Sequence, residues 1–368
     1  MHIALLSPNT LRKNTAGLEQ AVFYLAQFLQ KKGHRVEIFC TSQSPQETVE
    51  YQGLTLHEYP RWAPNNAYFF SLPLYRALKK GNFDIIHAYG YNNFVSFLGL
   101  LAKKKGQKYI LTGASSVSSS PIRKYLHAPL NFSYTAMGER IDKLICVSEY
   151  EYALFKKSIP LPEHKYVLIP NGIPVEELQA IPKKINPHMI LSVGRLVKQK
   201  GMHRLIAALP LIRKSYPDVQ LHIVGDGIER QNLENQARES GMEKNIVFHG
   251  HIQFDDKEKL YELYARCHVF SLMADSESQG LVYGMAAAMR TPILTTNHSA
   301  MKDLVRAGVA KGIDNPDDIE SIAKGMMQLF EEKPPRVDIE KVVWSWDRVG
   351  TAIEGIYHEL LGKSKQIS

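Results

Sequence analysis

The sequence has few cysteines and no long apolar run. Its 368 residues include three cysteines, each in or beside a short apolar segment typical of a buried strand: Cys40, Cys146 and Cys267. Buried reduced thiols in a cytosolic protein explain this odd number better than disulfides or metal ligands. No run is long enough to span a membrane and no basic leader precedes the first apolar residues, so we expect neither a transmembrane anchor nor a signal peptide.

The second half of the chain lacks the basic excess of the first half. Residues 1–168 contain 20 Lys and Arg against 11 Asp and Glu, although the net charge of the whole chain is only +8. Such a one-sided field indicates an anionic partner, for example a phospholipid surface, a lipid-linked phosphate or an acidic glycan. Ordinary solvated lysines are the alternative explanation. No nucleic-acid-binding motif is present, so we expect no nucleic-acid partner.

Length and hydrophobic pattern predict two α/β domains. A chain of 368 residues with 44% hydrophobic and 22% charged residues is globular and too long for one ordinary core. Strand-like runs alternate with helix-like segments in both halves, which predicts two doubly wound parallel sheets. We predict a first domain at 1–172, a Pro-rich linker at 173–187, a second domain at 188–343 and a final helical segment at 344–368.

Eleven strands are predicted from apolar runs. They fall at 3–6, 36–40, 84–87, 109–112, 144–147 and 166–169 in the first half, and at 189–193, 219–224, 246–248, 268–272 and 292–295 in the second. Two open sheets imply a cleft lined by the carboxyl ends of strands, where ligands of such folds bind. An amphipathic helix is predicted over 342–361.

Residues 58–76 interrupt the alternation of strands and helices. They are rich in aromatic side chains with interspersed proline and arginine. Aromatic residues beside cations are typical of a surface that meets a membrane interface or stacks on sugars. A Pro-rich loop that packs on its own domain would have the same composition.

Residues 189–206 carry the strongest local signal for a ligand site. A predicted buried strand runs into a loop with Gly194, Arg195 and Lys200, and a helix-like apolar stripe follows. Unpaired amides at a helix start together with two cations form a site for phosphate or diphosphate. An ordinary βα loop with two solvated cations is the alternative.

The order and spacing of short motifs across the chain resemble the retaining glycosyltransferases of family 4. The matching pieces are 16–19 with 33–36, 84–87, 145–149, 169–172, 193–195 with 200–201, 223–227, 277–292 and 344–347. The resemblance implies the GT-B fold: two Rossmann-like domains that face a cleft, with a C-terminal helix crossing back to the first domain.

The same resemblance implies a function. The enzyme would move a sugar from a nucleotide-sugar donor, a UDP- or GDP-sugar, to a cell-surface, lipid-linked or other glycan acceptor. We expect no cofactor, because the nucleotide-sugar is a substrate, and no metal, because an Asp-x-Asp pair that would hold one on the diphosphate is absent. The expected location is cytoplasmic, with peripheral binding at the inner face of the cell membrane.

Site residues follow from the same motifs. Arg195 and Lys200 match the pair that neutralises the donor diphosphate, where negative charge grows as the glycosidic bond breaks. Glu277 matches the first glutamate of the family's two-glutamate motif, beside the donor sugar. The implied donor-binding positions are Gly17, Gly194, Gly225, Gly280, Leu281, Val282 and Met285, and the acceptor-side candidates are His87, Ala114 and Arg123.

Three positions depart from the family pattern. Met285 stands where the family has its second glutamate, Ala114 where it has a histidine, and Ala16 where it has the first of two glycines. A thioether cannot replace a carboxylate as an acceptor for ribose hydroxyls. A non-catalytic GT-B partner subunit with a degenerate donor site is therefore the alternative function, and a nucleotide-sugar epimerase on the same fold is a third. His87 either faces the cleft or is a hydrogen-bonded structural histidine.

Overall fold

The computed structural model describes residues 1–12, 17–62, 69–114, 121–332 and 338–362, with the backbone alone at 121–128. The chain divides into two compact units. Unit 1 comprises Met1–Gly172 with Trp346–Ser368, and unit 2 comprises Ile173–Ser345.

Unit 1 is built on a sheet that has eight strands within the described residues. They are β1 (His2–Ser7), β2 (Arg35–Ser42), β3 (Glu47–Tyr51), β4 (Leu54–Pro60), β5 (Ile85–Tyr89), β6 (Lys108–Thr112), β7 (Lys143–Cys146) and β8 (Tyr166–Leu168). Their order is β3-β4-β2-β1-β5-β6-β7-β8. All neighbours are parallel except β3 and β4, which form an antiparallel hairpin that the apolar pattern did not predict. Its turn holds Gln52 and Gly53 at positive φ, as tight hairpins require.

Helices cover this sheet. They are α1 (Gly17–Lys31), α2 (Leu72–Lys80), α3 (Phe94–Ala102), α4 (Pro121–Ala136) and α5 (Glu149–Ser158). Side-chain caps define three of their starts: Ser71, Asn93 and Ser148 each accept a hydrogen bond from a backbone N–H in the first turn. The apolar residues of β1 and β5 are fully buried, so the core of unit 1 lies along the middle of the sheet.

Unit 2 contains a six-stranded parallel sheet within the described residues. Its strands are β9 (Met189–Val193), β10 (Gln220–Val224), β11 (Ile246–Gly250), β12 (Val269–Leu272), β13 (Ile293–Thr296) and β14 (Lys311–Ile313), in the order β11-β10-β9-β12-β13-β14. Its helices are α6 (Val175–Gln179), α7 (Met202–Arg213), α8 (Arg230–Glu239), α9 (Lys257–Arg266), α10 (Leu281–Ala288), α11 (Met301–Arg306) and α12 (Ile319–Glu331). Parallel strands bring all their carboxyl ends to one edge, which positions the loops of the candidate site.

The predicted linker at 173–187 is instead packed into unit 2. It begins with a backbone hydrogen bond from Ile173 to the carbonyl of Trp344 (2.8 Å) and contains α6 with its buried Leu178. The Lys184 N–H then donates to the carbonyl of Ala265 (3.1 Å). The buried apolar side chains of Ile173 and Leu178 explain this packing. The prediction of a linker missed them, because it was based on the average composition of the segment, which is polar and Pro-rich.

The C-terminal helix returns to unit 1, as predicted. This helix, α13 (Trp346–Leu360), begins four residues later than the predicted 342, after a short 3₁₀ turn. Trp346 stacks on Tyr24 of α1 with ring centroids 5.4 Å apart, and Gly350 lies against the ring of Phe28. A Cβ at Gly350 would come within 2.4 Å of that ring, so the close contact of the two helices needs a glycine there.

All three cysteines are buried and free of disulfides, in agreement with the expected reduced thiols. Burial raises the pKa of the Cys267 thiol to about 12, which keeps it protonated and unreactive. Within the described residues, no helix is both long enough and apolar enough to cross a bilayer.

Candidate functional site

The carboxyl edge of the unit 2 sheet brings the predicted donor-site residues onto neighbouring loops. Gly194 and Arg195 follow β9, Gly225 follows β10, and Glu277 lies in the loop after β12. Because β9 is hydrogen-bonded to both β10 and β12, these loops emerge side by side. The sheet order therefore gathers residues that are up to 83 positions apart in the sequence.

Gly225 allows two of these loops to touch. Its φ of +133° is closed to other residue types, and a Cβ there would lie 1.9 Å from the carbonyl oxygen of Gly194. The Gly225 N–H donates to the carbonyl of Gly250 (2.8 Å), and the Gly194 N–H donates to that of Val224 (3.0 Å). This edge thus presents backbone without side-chain bulk, which is what a bound phosphate needs.

Lys200 and Glu277 form an ion pair at this edge. The Lys200 ammonium donates to Glu277 Oε1, and the two side chains are only 18% and 10% exposed. The Glu277 N–H also donates to the hydroxyl of Ser299 (2.9 Å), which fixes the backbone beside the carboxylate. Mostly buried, the pair is screened less by water than a surface pair would be. A phosphate that binds here would contact the Lys200 ammonium, whose charge is balanced by the Glu277 carboxylate.

Arg195 is a cation at this edge whose side chain has no partner among the described residues. Its side chain is exposed and has no ion pair or hydrogen bond with the described residues. Its backbone is nevertheless anchored, because its carbonyl accepts from the Val197 N–H (2.9 Å). A guanidinium with all its donors available can bind two phosphate oxygens at once.

Helix α10 adds backbone donors beside Glu277. Gly280 caps it with a φ of +73° and provides no side-chain cap. The first N–H groups, those of Leu281 and Val282, have no acceptor among the described residues and can bind solvent or a ligand. Met285 lies one turn further on and is 6% exposed. The thioether is therefore packed into unit 2, and as a weak acceptor it cannot replace a carboxylate for a sugar or ribose hydroxyl.

Arg204 is a buried cation that the sequence analysis missed. It projects from α7 and is 10% exposed, with ion pairs to Asp275 (2.6 Å) and Asp317 (2.9 Å). Burial opposes its charge, but the hydrogen bonds to the two carboxylates outweigh that effect and hold the pKa of the guanidinium above its ordinary value. A charged residue within the apolar pattern of α7 was the available sequence signal.

Two family models match the chain in succession. The model described as Glycosyltransferase Family 4 matches residues 15–177. The model described as Glycosyl transferases group 1 matches residues 175–342, which include the whole edge described above. The chain belongs to the family 4 glycosyltransferases.

Known proteins are similar to this glycosyltransferase over different lengths. A glycogen synthase of Mycobacterium tuberculosis is 30% identical, but the match covers 47% of this chain and 43% of that protein. The phosphatidylinositol N-acetylglucosaminyltransferase gpi3 subunit of Schizosaccharomyces pombe is 22% identical over 95% of this chain and 78% of that protein. The structure of HepE from Anabaena in complex with UDP and glucose has a TM-score of 0.70 at 16% identity and covers 98% of this chain and 95% of that chain. The predicted GT-B fold with two Rossmann-like units is confirmed.

In unit 1 of this glycosyltransferase, His87 is not available to an acceptor. It is fully buried on β5, where Nδ1 lies 2.6 Å from the Tyr357 hydroxyl and Nε2 lies 2.7 Å from the Thr112 hydroxyl. Burial lowers its pKa to about 3, so the ring is neutral at physiological pH. The acceptor-side prediction for His87 is wrong, and the structural alternative is correct: the ring ties α13 to the sheet.

This burial predicts a pH-dependent stability. Because the folded pKa of about 3 lies below the unfolded value of about 6.5, the unfolded chain takes up a proton first as the pH falls. The free energy of unfolding should then fall with decreasing pH below about 6.5, by up to about 1.4 kcal/mol per unit from this residue. Urea unfolding of wild type and His87→Gln between pH 7 and 5 checks this. Parallel curves for the two proteins would contradict it.

The other first-domain candidates are only partly described. Ala114 adopts a φ of +44°, which is uncommon for a residue with a Cβ. Arg123 lies on α4, where the backbone alone is described, and Ala16 lies outside the described residues. Gly17 begins α1, as a helix-entry glycine would.

A polar cluster at the carboxyl edge of the unit 1 sheet was not predicted. Glu58 is 1% exposed and accepts from Arg12 Nε (2.8 Å), and Glu19 is 2% exposed and accepts from Asn9 (2.8 Å). Arg61 donates to Asn9 (2.6 Å), and burial lowers its pKa. Glu58 lies within β4 and Glu19 within α1, so no apolar run or motif marked them, although the polar residues Asn9 and Arg61 follow the ends of β1 and β4.

One trio of metal-type ligands occurs among the described residues, also in unit 1. His34, Glu354 and His358 each place a ligand atom within 4.8 Å of the others. A metal-bound histidine needs an acceptor for its second N–H. Nδ1 of His34 instead faces the ammonium of Met1 (3.4 Å), and Nδ1 of His358 is buried and has no hydrogen-bond partner among the residues that the structure describes. The trio is therefore better suited to a hydrogen-bonded contact between α13 and the loop after α1.

Proposed function

We propose that this glycosyltransferase moves a sugar from a UDP- or GDP-sugar to a cell-surface, lipid-linked or other glycan acceptor, with retention of configuration and without a metal ion. The observation that carries the proposal is that the carboxyl edge of the unit 2 sheet holds a mostly buried Lys200–Glu277 ion pair together with Arg195, whose side chain has no partner among the described residues. The UDP and glucose bound by the structural neighbour support a nucleotide-sugar donor.

The chemistry follows from the charges. As the bond between the anomeric carbon and the diphosphate breaks, negative charge grows on the leaving phosphate, and Arg195 and Lys200 stabilise that charge without a cation from solution. Glu277 accepts a hydrogen bond from the sugar and stabilises positive charge at the anomeric carbon. The acceptor hydroxyl attacks from the face that the phosphate leaves, and the phosphate takes its proton.

The direct test is transfer of labelled sugar by the full chain. Purified protein is incubated with UDP-glucose, UDP-N-acetylglucosamine or GDP-mannose and a membrane lipid extract, with and without EDTA. We expect one donor to release its nucleoside diphosphate, equal rates with EDTA, and a product with the anomeric configuration of the donor. No release from any donor, or loss of rate with EDTA, would contradict the proposal.

A second candidate function is a non-catalytic subunit with a degenerate donor site. Met285, which cannot accept a hydrogen bond from ribose as a carboxylate does, favours it, and the Schizosaccharomyces pombe relative is itself named as a subunit. Calorimetric titration with UDP, GDP and ADP separates the two functions. Absence of binding by all three would favour the subunit, whereas binding of one would favour the enzyme.

The lipid-linked acceptor has support in unit 1. Trp62 is 70% exposed, and Leu72, which is 42% exposed, shares one face of α2 with the exposed cations Arg76, Lys79 and Lys80. Residues 63–68 of the predicted interfacial segment lie outside the described residues. Exposed apolar side chains beside cations, such as Trp62 and Leu72 here, are suited to contact with an anionic bilayer.

Sedimentation with vesicles tests membrane binding. We expect binding to phosphatidylcholine vesicles that contain phosphatidylglycerol, weakening as salt is raised, and much weaker binding to phosphatidylcholine alone. Replacement of both Lys79 and Lys80 by glutamine should weaken binding to the vesicles that contain phosphatidylglycerol, by roughly 1 kcal/mol for each lysine. Equal binding to both vesicle types, or none, would contradict a peripheral location.

A further inference from the structure

Arg204 holds the loop that carries Glu277. Its NH1 group donates to the carbonyl oxygen of Met273 (2.9 Å) and to Asp275 Oδ1 (2.6 Å), while Nε donates to Asp317 Oδ1 (2.9 Å). Both first contacts lie within four residues of Glu277. The guanidinium thus fixes a backbone carbonyl and a side chain of one short loop at the same time.

The same loop is joined to the turn that carries Lys200. The Asp275 N–H donates to the carbonyl of Gln199 (2.9 Å), one residue before Lys200. Gly201 permits this approach, since a Cβ there would lie 1.9 Å from the Met273 oxygen. Arg204 lies three residues after Gly201. Its hydrogen bonds to Met273 and Asp275 therefore help to hold turn 198–201 against loop 273–277.

The far side of the loop is held by β13 and the residues after it. The Thr296 hydroxyl donates to the carbonyl of Ala274 (2.8 Å), and Ser299 accepts from the Glu277 N–H (2.9 Å). These bonds connect the loop to the sheet but not to the Lys200 turn. Arg204 reaches this loop from α7, the helix next to that turn, with hydrogen bonds to the Met273 carbonyl and to Asp275.

We propose that Arg204 is a positioning residue for sugar transfer, which sets the Glu277 carboxylate relative to the Lys200 ammonium through the Met273–Asp275 backbone and the Asp275 side chain. This inference rests on the proposed function of the site. Arg204 itself touches neither group, so its effect on the reaction passes through Glu277.

The chemistry of the side chain explains why an arginine is used. A planar guanidinium has donors in a fixed fork and can satisfy Met273, Asp275 and Asp317 in one geometry. A lysine ammonium is a single point on a flexible stem, so it would hold fewer of these acceptors in place. Small displacements of a group that stabilises a transition state lower the rate strongly.

A double-mutant cycle tests the inference on the full chain. We expect Arg204→Met to lower kcat at least about tenfold with the donor KM within about threefold, and Arg204→Lys to recover only part of the loss. In a Glu277→Gln background, Arg204→Met should lower kcat by less than about threefold, because the group it positions is already changed. Arg213 lies on the same helix and donates to the carbonyl of Gly241 (3.2 Å) instead of to this loop. The control variant Arg213→Met should therefore leave kcat unchanged. An additive cycle would overturn the proposal.

Amide hydrogen exchange gives a second measurement that does not depend on turnover. Arg204→Met should speed exchange at Asp275 and Glu277 at least about tenfold while β9 and β10 keep wild-type protection, and Arg213→Met should not. Unchanged exchange in loop 273–277 would overturn positioning by Arg204. If wild type transfers no sugar, the proposed function fails, and the exchange result still decides whether Arg204 holds this loop.

Discussion

Arg195→Ala and Lys200→Ala should each lower kcat of sugar transfer by about 100-fold or more. Removal of one group that stabilises developing charge in a water-excluded site typically has an effect of 10²–10³, or about 3–4 kcal/mol. The two substitutions should differ in their effect on the affinity for the donor. Arg195 has no partner within the described residues, whereas loss of Lys200 also leaves the Glu277 carboxylate, 10% exposed, without its cation. Lys200→Ala should therefore also weaken donor binding, because an unpaired carboxylate would repel the diphosphate.

Lys198 provides the matched control for these variants. It lies in the same 3₁₀ turn as Lys200 but is exposed, so Lys198→Ala removes the same charge without removing a site cation. Steady-state kinetics with the accepted donor should show Lys198→Ala within about threefold of wild type. If Arg195→Ala or Lys200→Ala also stays within about threefold, a loss below about 1 kcal/mol, the electrostatic role is wrong.

Gly201→Ala should be far more damaging to stability than Gly241→Ala. Both glycines have a φ of +67°, so an alanine at either position carries the same backbone strain of about 1–2 kcal/mol. A Cβ at Gly241 meets nothing within 4 Å, whereas a Cβ at Gly201 would lie 1.9 Å from the carbonyl oxygen of Met273. Backbone must move to relieve that clash, and we expect a total loss of at least about 3 kcal/mol.

Comparison of Gly201→Ala with Gly241→Ala separates the cost of backbone strain from the cost of the steric clash with Met273. Urea unfolding of wild type, Gly201→Ala and Gly241→Ala gives the three free energies of unfolding. Gly201→Ala should also lose activity where it remains folded, because the clash pushes on the loop that carries Glu277. Equal destabilisation by the two alanines would show that the approach of Gly201 to Met273 is not a constraint on the fold.

The sequence predicted the fold wherever strands are apolar and buried. All eleven predicted strands exist, with ends shifted by at most about two residues, because parallel strands buried on both faces read as continuous apolar runs. The three missed strands lie toward the sheet edges or are short. β3 contains Glu-Thr-Val-Glu-Tyr, half-exposed and charged, and β14 has three residues. Such segments are placed by their neighbours rather than by their own composition.

Local motifs pointed to residues that the structure brings to one edge of the sheet, whereas contacts that depend on long-range pairing were missed; the roles of the site residues in donor binding stay predictions. The loop of Gly194 and Arg195 and the glutamate at 277 could be read from motifs. The partnership of Lys200 with Glu277, 77 positions apart, and the hold of Arg204 on Asp275 could not, since they arise from the order of strands in the sheet. His87 shows the opposite error: a polar residue at a strand end is uninformative until its burial is known.

The central claim is that Arg195 and Lys200 bind the donor diphosphate at the carboxyl edge of the unit 2 sheet. A crystal structure of the full chain with bound UDP or GDP tests it most directly. We expect β-phosphate oxygens within about 3.2 Å of the Arg195 guanidinium and the Lys200 ammonium, with backbone N–H groups of Leu281 or Val282 facing the same phosphate. A nucleotide bound elsewhere, or at this edge with both cations turned away from its phosphates, would contradict the account.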